Sequence, residues 1–329
     1  MSEALQLLPW QAPLWQHMAQ AIAQERLGHA LLLSGLRGTG KRAFARVLAA
    51  ALWCESPGPE RLPCGRCNNC RQVLSEAHPS LNMLRPEEDK KVIAIDAVRA
   101  LCGRLVMTTH DGRARVAIID PADALNNNGV NALLKTIEEP PPRSHLLLVS
   151  ERPLALAATL RSRCQQLRFG IPEREASLHW LQQTAPGVDA AAALEAAQGA
   201  PLRALQLIED KSLELHQAWR GALRELAAGR AEPLQSVAAV GGEKQKDAGP
   251  FLQWLYVWLL TLLRAGLTLQ RPGDGLGALA AKLPRQALDR YIGDVQESLR
   301  RLEQNANAQL VLEAILVRWC GLVALGQRS

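Results

Sequence analysis

A glycine-rich segment, Gly35-Leu-Arg-Gly-Thr-Gly-Lys-Arg42, constrains the fold of this 329-residue chain more than any other feature. A short apolar run at about residues 28–34 precedes the segment, and a helical pattern at Arg42–Leu52 follows it. Glycines here let consecutive backbone N–H groups and a helix N-terminus surround phosphate oxygens, and Lys41 would reach the β- and γ-phosphates. We therefore expect a phosphate-binding loop between a strand and a helix. Its binding residues would be Gly35, Gly38, Gly40 and Lys41.

Two further apolar runs, Arg115–Asp120 and His145–Ser150, predict more strands. Apolar runs without alternation are typical of strands that are buried on both faces of a parallel sheet. Helical patterns occur at Ile95–Leu105 and at Gly129–Ile137, and the second ends just before consecutive prolines. Strands that alternate with helices predict an α/β domain, a parallel sheet with helices on both faces.

The remainder of the chain reads as helical. After about residue 169 no convincing strand remains, and segments rich in alanine and leucine dominate. We predict an α/β domain at residues 1–169, a small all-α domain at 170–208 and an all-α C-terminal domain at 209–329. Breaks in the helical pattern are expected at 241–250 and 271–276.

Charge and hydropathy limit the cell compartment in which the protein is expected to work. The net charge of +6 fits work near nucleic acid and fits an ordinary basic surface equally well. Phe251–Leu263 is the most apolar run, but it is too short to span a bilayer, so we expect a buried helix with Trp254 and Trp258 in its core. Met1–Gln11 lacks the pattern of a secretion signal. These observations predict a cytoplasmic protein that does not contact a membrane.

Two positions depart from what a phosphate loop needs for hydrolysis. The Ser or Thr that would bind Mg²⁺ after Lys41 is replaced by Arg42, which has no acceptor oxygen. Asp120 ends the second predicted strand, but Pro121 follows it where an acid would polarise water, and Asp123 lies three positions further on. We expect no ATP turnover by this chain. A relic loop and a loop that binds nucleotide weakly both remain open.

Four of the seven cysteines, Cys54, Cys64, Cys67 and Cys70, are clustered with two or nine residues between neighbours. In a reducing compartment such spacing indicates a tetrahedral metal site rather than disulfides. Structural Zn²⁺ is favoured over an iron–sulfur cluster because the insertion at 54–70 is compact, and four free thiols are the alternative. The isolated Cys102, Cys164 and Cys320 read as small buried residues.

Two more motifs identify a family resemblance. Asn131-Ala-Leu-Leu-Lys-Thr-Ile-Glu-Glu-Pro-Pro141 and Thr159-Leu-Arg-Ser-Arg-Cys164 follow the phosphate loop and the cysteines in a fixed order. In these motifs and their order, the chain closely resembles the bacterial clamp-loader AAA+ family over about residues 1–205. The resemblance implies an AAA+ P-loop domain with a zinc module, followed by a helical lid and a helical collar.

The resemblance also implies roles for individual residues. The ATP-hydrolysing motor subunit of the family keeps a Thr after the loop lysine and an Asp-Glu pair on the second strand. With Arg42 and Asp120-Pro121, this chain is similar to the delta-prime branch instead. Arg163 then stands at the arginine-finger position, where its guanidinium would contact ATP held by an adjacent motor subunit. Ser150 and, within one residue, Arg203 match the two sensor positions.

The resemblance implies that the chain assembles with motor subunits (tau/gamma) and a delta subunit into a hetero-pentameric ring. In that ring the chain would act as a stator that helps to position the subunit that opens the sliding clamp, on primer–template DNA. Polymerisation by the DNA polymerase III holoenzyme would reside in other chains. Arg99 and Arg104, on the polar side of the helix Ile95–Leu105, would contact DNA phosphates or simply face solvent.

Two other functions remain as alternatives. The chain could be an autonomous ATPase motor, which Lys41-dependent hydrolysis by the purified protein would reveal. It could also be a zinc-containing DNA-binding module, in which case salt-sensitive DNA affinity would disappear on removal of residues 54–70.

Overall fold

The computed structural model describes residues 5–88, 90–107, 113–268 and 283–327. The chain forms two compact units, Met1–Leu205 and Gln206–Ser329. The three-domain division with boundaries after residues 169 and 208 stays a prediction.

A five-stranded parallel sheet, in the order β2-β3-β4-β1-β5, forms the centre of the first unit. The strands are β1 (Ala30–Gly35), β2 (Leu81–Leu84), β3 (Arg115–Ile119), β4 (Ser144–Ser150) and β5 (Gln165–Phe169). The three apolar runs form β1, β3 and β4, which are adjacent in the sheet and therefore buried on both faces. The predicted α/β class is confirmed.

The two strands at the sheet edges were not predicted from the sequence. β2 has four residues, and its two central positions are half-buried. In β5 the side chains of Gln165, Gln166 and Arg168 are exposed, whereas Leu167 and Phe169 are buried. An edge strand has a neighbour on one side only, so it lacks the continuous apolar run that indicates a central strand.

Nine α-helices accompany the sheet in the described part of the chain up to residue 209, besides short 3₁₀ helices. They are α1 (Ala12–Ala23), α2 (Lys41–Trp53), α3 (Asn68–Leu74), α4 (Ile95–Val106), α5 (Asn127–Glu138), α6 (Ala158–Arg161), α7 (Arg174–Thr184), α8 (Ala190–Ala196) and α9 (Pro201–Glu209). The helical patterns predicted at 42–52, 95–105 and 129–137 lie within α2, α4 and α5. The side chain of Asn126 caps α5 by accepting a hydrogen bond from Gly129 N at 2.8 Å.

Helices cover both faces of the sheet. Leu31 and Leu33 of β1 contribute to a core with Trp15 of α1 and Phe44 of α2. Leu32, between them, contributes to the core on the other face, where α4 and α5 pack. Successive strand residues point to opposite faces, so β1 serves both cores. Because β3, β4 and β1 are adjacent and parallel, the residues that follow them lie close together at the carboxyl ends of the strands.

The second unit consists of helices in its described residues. They are α10 (Ser212–Ala227), α11 (Val237–Gly241), α12 (Ala248–Thr268), α13 (Arg285–Glu303) and α14 (Ala308–Gln327). Trp254 and Trp258 are buried, as predicted, and their rings stack with centroids 5.8 Å apart. The break at 241–250 separates α11 from α12, while the break predicted at 271–276 lies outside the described residues.

One helical segment in the described part of the chain, Ala308–Gly326, is long and apolar enough to cross a membrane. Leu312, Leu316 and Trp319 of this segment are buried in the core of the helical unit. A core helix of a soluble domain meets the same test, so the segment is weak evidence for membrane insertion.

Candidate functional site

The phosphate loop joins β1 to α2 through three glycines with positive φ. Gly35, Gly38 and Gly40 have φ of 152°, 83° and 91°. A side chain at Gly38 would also meet the backbone of α9, because an added Cβ would lie 2.5 Å from Arg203 N. The Leu202 N–H donates a hydrogen bond to Gly38 O at 3.0 Å. The loop therefore lies between a strand and a helix, as the sequence predicts. The start of α9 is hydrogen-bonded directly to it.

Lys41 is buried within the loop itself. Its Nζ donates to Gly35 O at 2.8 Å and to Leu36 O at 2.7 Å. Burial lowers the pKa of Lys41, and the negative charges of Glu151, Asp120 and Asp123 oppose that shift. The ammonium group thus contacts carbonyl groups of the loop itself.

Two side chains near the start of the chain bind the loop from outside. Trp10 Nε1 donates to Thr39 O at 3.0 Å, and Gln11 Nε2 donates to Gly40 O at 3.0 Å. The sequence gives no signal for these contacts, because Trp10 and Gln11 lie almost thirty residues before the loop and belong to no recognisable motif. The segment before α1 is therefore part of the site.

Arg42 is ion-paired with Asp120 through its Nε. The Asp120 side chain is 6% exposed, whereas that of Arg42 is 52% exposed. The two residues occupy the positions that would jointly hold Mg²⁺ in a hydrolysing site, namely the first turn of α2 and the end of β3. A guanidinium group of the protein now neutralises the carboxylate that a metal ion would contact.

The carboxylate of Asp123 is held by hydrogen bonds from the end of β4. Its carboxylate accepts hydrogen bonds from Ser150 Oγ at 2.7 Å and from the backbone N–H of Glu151 at 2.6 Å. Arg152 N adds a longer contact of 3.3 Å. The first sensor candidate, Ser150, is thus bound to Asp123 at the end of β4, and both oxygens of that carboxylate are engaged.

A cleft of about 790 Å³ opens above the loop. Among its lining residues, Arg46, Glu151 and Trp180 were not identified from the sequence. Arg46 lies on the buried side of α2 and pairs with Glu76, which also binds Arg85. Trp180 of α7 packs edge-on against Trp10, with ring centroids 5.5 Å apart. The cleft is large enough for a small ligand and carries several cations.

The four clustered cysteines meet at one point, as the spacing predicts. Their sulfur atoms all lie within 4.8 Å of one another. The Cys64 N–H donates to Cys54 Sγ at 3.2 Å, and the Cys67 N–H donates to Cys64 Sγ at 3.3 Å. Four thiols converging in this way, with backbone amides directed at sulfur, suit a tetrahedral metal ion. The cluster could therefore hold a metal.

Local structure supports the cysteine cluster. Cys67 is the N-cap of α3, and its sulfur accepts from Cys70 N at 3.5 Å. Hydrogen bonds, led by that of the Arg66 N–H, lower the pKa of Cys64 to about 6. Trp15 Nε1 donates to Glu60 O at 3.0 Å and fixes the insertion to α1. Of the isolated cysteines, Cys164 is buried, whereas Cys102 and Cys320 are only partly buried.

Arg163 lies on the surface between α6 and β5. Its side chain is 40% exposed. The Nε donates to Glu138 Oε1 at 2.7 Å, and Nη1 donates to Thr159 O at 3.0 Å. The cation is therefore accessible and at the same time attached to the end of α5.

The remaining sites named from the sequence lie on separate elements. Arg203 is on α9, with its backbone beside Gly38. Arg99 and Arg104 are exposed on α4, and Arg99 is 3.5 Å from Asp96. An exposed position is compatible with either phosphate contact or a solvated face.

The chain is similar to known replication proteins along almost its whole length. The family models "DNA polymerase III, delta subunit" and "DNA polymerase III, delta subunit, C terminal" match residues 10–173 and 213–320. DNA polymerase III subunit delta' of Pseudomonas aeruginosa is 34% identical, over 97% of this chain and 99% of that protein. The same subunit of Escherichia coli is 30% identical over 94% of each chain. Subunit tau of Escherichia coli is 36% identical over 50% of this chain and 25% of its own length.

Proposed function

From the premise that this chain belongs to the family of DNA polymerase III delta' subunits, we propose that it is a non-hydrolysing stator of the clamp loader. In this proposal the chain does not turn over ATP and offers Arg163 to ATP bound by a neighbouring motor subunit. It would thereby complete a hydrolytic site that lies on another chain. The degenerate loop would hold its own fold, with nucleotide bound weakly or not at all.

The observation that carries the proposal is the ion pair between Arg42 and Asp120. Phosphoryl transfer by a P-loop site depends on a metal ion that bridges the β- and γ-phosphates. Here the two positions that would bind that ion neutralise each other, and Asp123 is engaged by Ser150. A site of this composition favours a structural role over turnover.

The position of Arg163 supports the contribution in trans. An arginine finger must be exposed at the surface of its own subunit, and the side chain of Arg163 is 40% exposed. A planar guanidinium group suits the equatorial oxygens of a transferring phosphoryl group, and such fingers accelerate the reaction by roughly 10³–10⁵. In the loader, motor subunits of the tau/gamma type would be the recipients.

Reconstitution tests this function directly. A loader assembled with the Arg163→Ala chain should hydrolyse ATP more slowly at the affected site, by about tenfold or more, in the presence of clamp and primed DNA. Arg168→Ala is the matched control, because Arg168 is an exposed arginine on β5, five residues away. Unchanged hydrolysis by the Arg163→Ala loader would refute the proposal.

The cysteine cluster would bind structural Zn²⁺. Four protein thiolates leave no open coordination position, so a catalytic role for the ion is not expected. When bound, the ion would supply a fixed cross-link among Cys54, Cys64, Cys67 and Cys70, and would order the proline- and glycine-containing insertion.

The helical unit would act as the collar through which the chain joins a hetero-pentamer with tau/gamma and delta subunits. In its support, α14 carries exposed apolar side chains at Leu310, Val317 and Leu325. Leu310, Val317 and Leu325 are spaced by seven and eight residues, so they lie along one face of the helix, where a partner subunit would cover them. The complex would act in the cytoplasm on primer–template DNA, and the chain would meet the sliding clamp indirectly.

A second candidate function, autonomous ATP hydrolysis, keeps one observation in its favour. The cleft above the loop retains Lys41 and about 790 Å³ of space. Hydrolysis by the purified chain that disappears in Lys41→Ala would support this candidate against the stator.

A further inference from the structure

The side chain of Arg163 is in direct contact with a second charged residue, Glu138. We propose that Glu138 is a positioning residue for Arg163: its carboxylate fixes the guanidinium in the orientation that meets the neighbour's phosphate. This inference rests on the proposed function, because it assumes that Arg163 acts on ATP in trans.

Arg163 is held at two separate nitrogens. The Nε donates to Glu138 Oε1 at 2.7 Å, and Nη1 donates to Thr159 O at 3.0 Å. Two anchors on different atoms determine the plane of the guanidinium as well as its location. The third nitrogen, Nη2, has no hydrogen-bond partner among the residues that the structure describes, and it stays available to an external acceptor.

The energetics of this ion pair argue against a purely stabilising role. The side chains of Arg163 and Glu138 are 40% and 48% exposed. Exposed pairs contribute little to folding stability, because solvent screens the charges and two long side chains must be ordered. Glu138 is moreover the last residue of α5, where the helix dipole disfavours a carboxylate. The arrangement is thus poorly suited to stabilising the fold and well suited to ordering Arg163.

Ordering the finger in advance has a kinetic consequence. A free arginine samples many rotamers, and fixing them costs entropy that otherwise reduces transition-state stabilisation. A carboxylate at Nε leaves the far edge of the guanidinium free for phosphate oxygens. One arginine can therefore bind the Glu138 carboxylate and the phosphate at the same time. We therefore expect Glu138 to influence the rate of the chemical step more than the affinity for ATP.

The neighbouring residue provides a matched control. Glu139 is also exposed and carries the same charge, and among the described residues its side chain has no ion pair. Loss of a negative charge at 139 therefore reproduces the electrostatic change of a substitution at 138 without disturbing Arg163.

The experiment uses the complete loader with clamp and primed DNA, and measures kcat and KM for ATP. Glu138→Ala should lower kcat at the affected site roughly five- to thirty-fold with little change in KM. Glu138→Gln should recover part of the loss, since its amide oxygen still accepts a hydrogen bond from Nε. Glu139→Ala should match the wild type.

A double variant separates positioning from assembly. In an Arg163→Ala loader, Glu138→Ala should add no further loss, because its effect acts through the arginine. If Arg163→Ala lowers kcat and Glu138→Ala does not, this inference fails while the proposed function stands. If Arg163→Ala has no effect, the proposed function itself fails. An equal loss from Glu138→Ala in both backgrounds would overturn the positioning role. Should Glu138→Ala fold poorly, Glu138→Gln provides the comparison with a smaller expected loss of kcat, which should disappear in the Arg163→Ala background.

Discussion

The guanidinium of Arg42 neutralises the buried carboxylate of Asp120 across 78 residues of sequence. This pairing joins the start of α2 to the end of β3, where a bound Mg²⁺ would otherwise be the shared cation. The cation beside the Asp120 carboxylate is thus part of the chain itself.

The Arg42→Thr substitution should restore a response to magnesium. Threonine would supply a hydroxyl ligand and would release Asp120 for metal binding. We expect ADP to bind this variant at least tenfold more tightly with millimolar Mg²⁺ than without it, a difference of about 1.4 kcal/mol. Titration calorimetry measures both affinities. Arg37→Thr, at an exposed loop position, should show no such difference, and neither should the wild type.

Loss of one clustered cysteine should release the metal. The purified chain should contain one equivalent of Zn²⁺, and Cys64→Ser should lose it, because three thiolates hold the ion far less tightly than four. Binding of structural zinc contributes several kcal/mol to folding, so the melting temperature should also fall. Elemental analysis and calorimetry provide the readouts. Cys102→Ser is the control, and a metal content that falls equally in both variants would contradict the site.

An alanine at Gly38 should destabilise the first unit more than an alanine at Gly187. Both glycines have nearly the same positive φ, 83° and 84°, so the intrinsic backbone strain is matched at about 1–2 kcal/mol. The Gly38 Cβ would meet Arg203 N at 2.5 Å, whereas nothing lies within 4 Å of the Gly187 Cβ. We expect an additional loss of about 1–3 kcal/mol for Gly38→Ala. Urea unfolding gives both values, and equal losses would show that α9 moves away without cost.

Stability should decrease below neutral pH because of His145. Burial lowers the pKa of His145 from its ordinary value of 6.5, the hydrogen bond to Gly28 O opposes the shift, and the charge of His29 adds to it. The unfolded chain therefore binds the proton more readily than the folded chain. The unfolding free energy should be undiminished above pH 6.5 and should fall below it, by up to about 1.4 kcal/mol per pH unit.

His145→Gln tests the assignment of that pH dependence. The slope of the unfolding free energy between pH 7.5 and 5.5 should become smaller in this variant, as measured by urea unfolding at several pH values. His17→Gln, at an exposed position on α1, should retain the wild-type slope. A slope that is the same in all three proteins would assign the pH dependence to other groups.

Local patterns were sufficient for much of the fold and part of the site. The strand β1, the loop and α2 follow one another in the sequence, so apolar runs and glycines predict their structure directly. The same holds for Cys64, Cys67 and Cys70, because two residues between neighbouring cysteines is a spacing typical of metal sites. Central strands that are buried on both faces have to be apolar, so the apolar runs of β3 and β4 predicted both strands.

The features that were missed depend on contacts between distant segments. Trp10 and Gln11 reach the loop only because α1 packs against the sheet, and Ser150 meets Asp123 because β3 and β4 are neighbours. No local pattern encodes such pairs. The pairing of Arg42 with Asp120 belongs to this group, although each departure from the hydrolytic pattern was visible separately.

The exposed side chains of β5 affect how readily the chain can associate with itself. An exposed strand edge is a template on which a second strand can add, and repeated addition leads to aggregation. Of the exposed side chains of β5, that of Arg168 places a charge at this edge. A charged side chain on an edge strand disfavours the addition of a second strand, so β5 should resist intermolecular growth of this sheet.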